Sequence, residues 1–255
     1  MINRLCRRAL IGLGLLLAAL STQVHAQSTP KTVTLVVPYA AGGGTDTVAR
    51  LIGERMSRAL GQTVIIENMV GGGSTLANDR VARSTPDGST VLINHVALLA
   101  APSLFTNLRY DTKTAFEPVG LVNNAPMVLI GRKSIPGAGP KDFVAWIKAQ
   151  GDKANFAHGG IGTNSHLCAV MMGNVLGFKP TIAAYRGSAP AIADLLAGQI
   201  DLLWDQVTNA LPQIQAGTLH GIAITSSERL EQLKDVPTTA ELHVFKASIL
   251  DGAHH

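Results

Sequence analysis

Four short stretches concentrate the residue types that could hold a small anion. They read Pro38-Tyr39-Ala40-Ala41-Gly42-Gly43-Gly44-Thr45-Asp46, Gly71-Gly72-Gly73-Ser74-Thr75, Gly159-Gly160-Ile161-Gly162-Thr163-Asn164-Ser165 and Tyr185-Arg186-Gly187-Ser188-Ala189-Pro190. Each leads into, or lies close to, the start of a helix-like pattern. A helix N-terminus presents N–H groups with no intrahelical acceptor and a partial positive charge. Glycine lets that backbone approach a ligand closely, so carboxylate oxygens can be held without an arginine. Thr45, Ser74, Thr163 and Ser165 add hydroxyl donors. Asp46 is the discordant member, because a carboxylate repels an anion; it reads either as an N-cap or as a group that orders water. Any one such loop can be no more than a turn. Four in one chain favour an anion-binding α/β protein.

Other reactive side chains carry less. His166 and Cys168 invite a thiol–imidazole or metal reading, but residues two apart on a helix point to different faces. No second thiol completes a metal site. His166 is read instead as a polar group at the cleft-facing end of its helix. His95, after a strand, is either a ligand contact or a satisfied core group. Arg186 is the one cation inside a candidate loop, with a ligand role and a solvated role equally open. Trp146 and Trp204 are read as packing residues. A nucleotide-using enzyme is a competing class, since glycine-rich loops also cradle phosphates. However, Gly42-Gly43-Gly44 is not followed by Gly-Lys-Ser/Thr, and no clean G-x-G-x-x-G follows the first strand.

The elements that must position these loops alternate between two periods. Residues 32–37, 63–67, 90–94, 127–130, 155–157, 181–184, 202–205 and 221–225 read as strands. Helical patterns cover 46–60, 75–83, 141–149, 165–176, 190–197 and 209–216. In the first helix Val48, Leu51, Ile52, Met56 and Leu60 follow helical spacing, and Gly61 stops it. Gly198 and Gly217 stand where left-handed caps are needed. The alternation predicts an α/β fold with mainly parallel sheets, whose loops emerge at the carboxyl edge where ligands of open sheets bind. Residues 123–126 are the expected crossing between two lobes. The division is 27–123 for the first lobe, 124–220 for the second and 221–255 for a return segment.

The N-terminus reads as an export signal: Arg4, Arg7 and Arg8, an apolar run from Ala9 to Leu20, then Val24-His25-Ala26 as a cleavage pattern. Removing residues 1–26 lowers Lys+Arg from 21 to 18, leaves Asp+Glu at 17, and drops the formal charge from +4 to +1. A chain so near neutrality offers no electrostatic case for nucleic acid or an anionic membrane. It also keeps a single cysteine, Cys168, so no internal disulfide can form. Hydrophobic content of 46% with 4% aromatic favours aliphatic layers over a stacking surface.

Beyond these loops the chain resembles the tripartite tricarboxylate transporter receptors, also called the Bug family. The resemblance runs through Val36-Val37-Pro38 and the following loop to Val48-Ala49-Arg50, then Val64-Ile65-Ile66-Glu67-Asn68, the Gly71 to Ser74 loop and Pro86-Asp87-Gly88. It continues in Arg109-Tyr110-Asp111, Phe116-Glu117-Pro118-Val119, Tyr185-Arg186-Gly187 and Asp194-Leu195-Leu196-Ala197-Gly198-Gln199-Ile200-Asp201. It implies a two-lobed periplasmic binding protein of the Venus flytrap type, a monomer that captures a small carboxylate and performs no chemistry on it. Integral-membrane transporter subunits would be its partners, or else a signalling protein that reads the same ligand-bound form. It implies further that the Tyr39 to Asp46 loop holds the first carboxylate through amides and ordered water, beside the Gly72 to Ser74 loop. The second lobe would meet the distal end of the ligand. The full candidate set is Tyr39, Ala41, Gly42, Gly43, Gly44, Thr45, Asp46, Gly72, Gly73, Ser74, His95, Gly162, Thr163, Ser165, His166, Tyr185, Gly187 and Asp205. No catalytic residue, metal or cofactor is expected. The family pattern continues past residues 236–237, so the first lobe is expected to be incomplete.

Overall fold

In the first sheet the apolar, β-branched run Val33–Val37 forms the central strand β1, with Val36 and Val37 fully buried. It is flanked on both sides by parallel partners: β2 (Val64–Asn68), in register Val33↔Val64, and β3 (Thr90–Leu92), in register Thr34↔Thr90. The computed structural model describes residues 32–136 and 140–243. The export signal read at residues 1–26 and the end of the chain beyond 243 lie outside the described residues.

Helix α1 (Gly44–Leu60) crosses back over this sheet and ends at Gly61, whose φ of 63° supplies the left-handed cap. Its buried or half-buried stripe runs through Val48, Ala49, Ile52, Gly53 and Met56, and the lobe's core joins Leu35, Val37, Tyr39, Ala49 and Ile93. Leu51 and Leu60, read as part of the apolar stripe, are instead 60% and 51% exposed. A 3-10 turn at Gly72–Ser74 leads into α2 (Thr75–Ala82), and α3 (Val96–Leu104) follows β3. Between α3 and the next strand, residues 105–126 carry neither helix nor strand, and Val119 and Leu121 stand 89% and 81% exposed.

The second sheet holds β4 (Met127–Arg132), β5 (Asn155–His158), β6 (Thr181–Ala184), β7 (Leu202–Gln206) and β8 (Leu219–Ile224), in the order β6-β5-β7-β4-β8. β5 pairs parallel with β6 and β7, whereas β4 is antiparallel to both β7 and β8. The chain enters the second lobe through β4 and runs against its neighbours, so the sheet is mainly parallel with one reversed strand. Helices α4 (Pro140–Gln150), α5 (Asn164–Leu176), α6 (Ser188–Leu196) and α7 (Val207–Gln215) complete it. Successive strand residues face opposite sides. Leu129, Leu202 and Trp204 therefore join Phe143, Phe156 and Met172 on one face, while Val128, Ile130 and Leu203 join Leu195 and Ile224 on the other. Burying each of these large side chains contributes about 1.5–3 kcal/mol, and apolar clusters cover this sheet on both faces. Trp204 is wholly in the core and Trp146 packs against it, as their packing role requires.

One boundary needs correcting. The line drawn between residues 220 and 221 falls inside β8, which pairs with β4. Residues 221–243 then stay with the second sheet: Ile224 bridges Thr238, while Leu233, Val236 and Leu242 enter its cores. The reason is that β4 pairs with β7 along one edge and β8 covers the other.

Candidate functional site

α1 begins without a side-chain cap, since its N-cap is Gly43. The first-turn amides of Gly44 and Thr45 therefore have no intrahelical acceptor. Asp46 is not the N-cap that its residue type suggests, because the helix starts two residues earlier. Its carboxylate turns back to accept from the Gly42 N–H at 2.8 Å, from Arg50 Nε at 2.8 Å and from Asn68 Nδ2 at 2.9 Å. Asn68 also donates to the Tyr39 carbonyl at 3.0 Å. Burial works to raise the Asp46 carboxyl, but Arg50, the Gly42 amide and Asn68 together hold it below its ordinary value. Asp46 thus fixes the loop's shape from behind rather than facing a ligand.

Tyr39 stacks on His95 with ring centroids 4.7 Å apart and 4° between planes. The Tyr39 hydroxyl donates to Asn94 Oδ1 at 2.9 Å, Asn94 Nδ2 donates to Asn78 Oδ1 at 2.9 Å, and Asn78 Nδ2 donates to Ser74 Oγ at 3.2 Å. Ser74 is therefore committed to an internal chain of bonds that holds Tyr39 in place. Burial pushes the Tyr39 hydroxyl above its usual range and His95 down to about 4, so His95 is a neutral imidazole at neutral pH. It also caps α3, its Nδ1 accepting from the Ala97 N–H at 3.4 Å.

In the second lobe Thr163 caps α5, accepting from the His166 N–H at 3.3 Å while donating to the Gly160 carbonyl at 2.7 Å. His158 Nδ1 accepts from the Gly160 N–H at 3.0 Å, and His166 Nδ1 accepts from the Gly162 N–H at 3.3 Å. The two rings lie 4.6 Å apart. Burial, then the neighbouring His166, lowers His158 to about 4, so both histidines shape the loop as neutral acceptors. Cys168 is buried and its thiol is pushed up to about 12 by that burial, which leaves it inert.

α6 starts after Gly187, whose φ of 131° and ψ of 171° define a backbone region almost exclusive to glycine. Its neighbour Arg186, exposed, uses its carbonyl to accept from the Ala40 N–H at 3.0 Å, a backbone bond between the two lobes. Tyr185 turns away, donating to Asp194 at 2.6 Å. That bond first, and burial second, raises its hydroxyl to about 12. Asp205 is 3% exposed. It accepts from the Gln206 N–H at 2.8 Å and from Asn209 Nδ2 at 2.6 Å. Burial raises its carboxyl to about 6, against the opposing pull of Asn209, Gln206 and Ser188.

These elements border a partly open cleft whose empty space, solvent at its mouth included, is about 410 Å³. It brings together Tyr39, Gly43, Gly44, Thr45, His95, Thr163, Ser165, Gly187 and Asp205. It does not reach Ala41, Gly42, Asp46, Gly72, Gly73, Ser74, Gly162, His166 or Tyr185, which lie behind or beside it. Met127, Gly159, Asn164, Ser188 and Gln206 line it without having been singled out. Gly159, Asn164 and Ser188 sat inside loops already marked. Met127 and Gln206 come from β4 and the end of β7 and carry no local signal. The N-termini of α1, α5 and α6 all meet here, and no Lys or Arg lines the cleft among the described residues. Two polar atoms, Ser165 Oγ and Gln206 Oε1, are buried there without a hydrogen-bond partner. Among the described residues no group of three or more potential metal ligands occurs, and no helix is long and apolar enough to cross a membrane.

Comparison with known proteins places this geometry. The receptor of the tripartite tricarboxylate transporter family matches residues 48–250. A UPF0065 protein from the TAR-I ttuE-ttuC′ intergenic region of Agrobacterium vitis is 42% identical over 209 residues, covering 82% of this chain. The chain spans 60% of the length of that relative. The structure of MatC from Rhodopseudomonas palustris with bound malate is 40% identical and superposes with a TM-score of 0.79, over 84% of this chain and 74% of that one. The periplasmic binding protein BugD is 42% identical with a TM-score of 0.81, over 86% and 73%.

Proposed function

The chain belongs to the tripartite tricarboxylate transporter receptor family, and from that membership we propose that it is a periplasmic receptor capturing a small carboxylate for integral-membrane transporter subunits. The observation that carries this reading is the meeting of three helix N-termini in one cleft that, among the described residues, no Lys or Arg lines. Bare amides and helix dipoles favour an anion there without a fixed countercharge. On this reading the Gly44 and Thr45 amides take one carboxylate, Gly43 N–H being turned to the Ala40 carbonyl, and the amides of Asn164, Ser165 and Ser188 face the remainder of the ligand. The partly open cleft and the contacts between lobes support capture by closure around the ligand. MatC, with its bound malate, is in keeping with a small acid of this kind.

The test is thermal melting and calorimetric titration of the purified chain against mono-, di- and tricarboxylates, amino acids and aromatic acids. A ligand at about 100 times its dissociation constant should add roughly 2.7 kcal/mol of stability. Saturable one-to-one binding, with the ligand recovered unchanged, is expected. Binding of no acid, or appearance of a reaction product, defeats the proposal.

A further inference from the structure

Among the residues lining the cleft, one buried carboxyl group stands against three positive helix ends, and a plain carboxylate cannot satisfy both. Asp205 lies on the wall at the carboxyl end of β7. An ionised carboxylate is an acceptor only, with about four lone-pair positions. Gln206 N–H and Asn209 Nδ2 occupy two of them, and a hydrogen bond from the Ser188 side chain accounts for a third. Acceptor capacity therefore remains, in a wall from which water is largely excluded. Next to it in sequence, Gln206 Oε1 is buried with no donor, and the Ser165 hydroxyl, itself 7% exposed and able both to donate and to accept, is buried with no partner. An acid whose only polar atoms are carboxylate oxygens brings more acceptors to an acceptor-rich end. It repels the Asp205 carboxylate and leaves Gln206 Oε1 bare. An acid that also carries a hydroxyl or an ammonium brings the missing donor.

We propose, on the carboxylate-receptor reading above, that Asp205 and Gln206 are the specificity determinants of the cleft: they select an acid bearing a hydroxyl or ammonium donor over the same carbon skeleton without one. The helix N-termini then hold the carboxylate, and the second-lobe wall reads the substituent. Polar sites built to pair with a donor discriminate strongly, because the analogue lacking it strands buried acceptors.

The experiment is isothermal titration of the unaltered protein with matched triplets: propionate, lactate and alanine; succinate, malate and aspartate; glutarate, 2-hydroxyglutarate and glutamate. Within the triplet that binds, the substituted acid should bind about 10- to 100-fold more tightly than the unsubstituted one, as expected of a hydrogen bond to a charged group. Whether the hydroxy or the amino member leads distinguishes the two donors. D205N should collapse this ratio to about threefold or less. Q206M, which keeps the length of the side chain and removes its acceptor, should lower the ratio in a protein whose buried carboxyl is untouched, so the test survives if D205N fails to fold. A purely structural role for either residue would weaken all members of a triplet together and leave the ratio unchanged. Equal affinity for substituted and unsubstituted acids in the unaltered protein overturns the proposal, as does a ratio that survives both variants. Binding of no triplet member, when another acid of the wider panel binds, also overturns this proposal and leaves the receptor reading standing; binding of no acid at all defeats that reading, and this inference falls with it.

Discussion

Replacing Gly44 by alanine separates closure of the cleft from the stability of the lobe that carries it. Gly44 is the first residue of α1, and its backbone lies outside the left-handed region. Within its own lobe the change is therefore unstrained, and alanine is the better helix former by up to about 1 kcal/mol. The three atoms nearest the added Cβ all belong to Gln206 of the other lobe. The Cβ would fall on Gln206 Oε1, and at 3.2 and 3.3 Å from Gln206 Cδ and Cβ. The amide can swing aside, but the Cβ is fixed to the backbone at the head of α7. Relief then requires the second wall to retreat by a few tenths of an ångström. Overpacking of this kind costs about 1–3 kcal/mol, and the cost falls only on the state in which the lobes meet. The dissociation constant of the bound acid should rise about 5- to 150-fold. The melting temperature of the ligand-free chain should be unchanged or slightly higher. Calorimetric titration and scanning fluorimetry of G44A beside the unaltered protein measure both. A dissociation constant within twofold of the original would refute the closure argument. A melting temperature lowered by several degrees would refute it differently, by showing that the Gly44–Gln206 contact belongs to a permanent core.

Two further predictions concern stability. D46A removes the acceptor that gathers Gly42, Asn68 and Arg50; since Arg50 is 54% exposed, its ion pair contributes little. Stranding the remaining donors should cost about 2–3 kcal/mol, read as a lower urea midpoint at constant slope; an unchanged midpoint contradicts the role assigned to Asp46. The second is a pair of opposed pH profiles. Asp205 sits at about 6 in the fold, above the ordinary value of about 3.9, so the folded state binds the extra proton. Its contribution is complete below about pH 4 and lost as pH rises through about 6, and D205N should erase a loss on the order of 3 kcal/mol. His158 sits at about 4, below its ordinary value of about 6.5, so the unfolded state binds the extra proton. Stability is complete above about pH 6.5 and falls as pH drops towards 4, a fall that H158Q should reduce. His95 and His166, lowered by burial in the same direction, make acidification destabilising overall. Melting curves from pH 4 to 8 decide it, and two variants tilting the same way would contradict the assignments.

What was legible in the sequence, and what was not, divides by the range of the interactions involved. Strand β1 and helices α1 and α6 announce themselves because their apolar periods are local, and α5 because its ends are marked, by Thr163 before it and Gly177 after it. Helix α3 escaped, since residues 96–104, Val-Ala-Leu-Leu-Ala-Ala-Pro-Ser-Leu, are apolar all round and contain Pro102, so no face repeats at helical spacing. The extent of β8 and of the segment after it was set by pairing with β4, some ninety residues earlier in the chain, which no local window contains.

The same division runs through the site. A glycine-rich loop followed by a helix states where backbone amides will be bare, and that statement depends only on neighbours in sequence. Which side chains of the loop turn toward the cleft depends on partners elsewhere. Ser74 turns inward because Asn78 and Asn94 complete a chain of bonds to Tyr39; Asp46 turns inward because Asn68 stands at the end of β2. Met127 and Gln206 reach the cleft only because β4 and β7 are paired antiparallel, with Met127 opposite Gln206. The anion-holding half of recognition is therefore written in short motifs, whereas the half proposed to read a substituent, Asp205 and Gln206, is assembled by sheet topology. Relatives sharing the loops can on this argument share a carboxylate while differing in ligand, with the difference concentrated at the carboxyl end of β7. Exchanging that strand end between two such receptors should move the preference without moving the carboxylate.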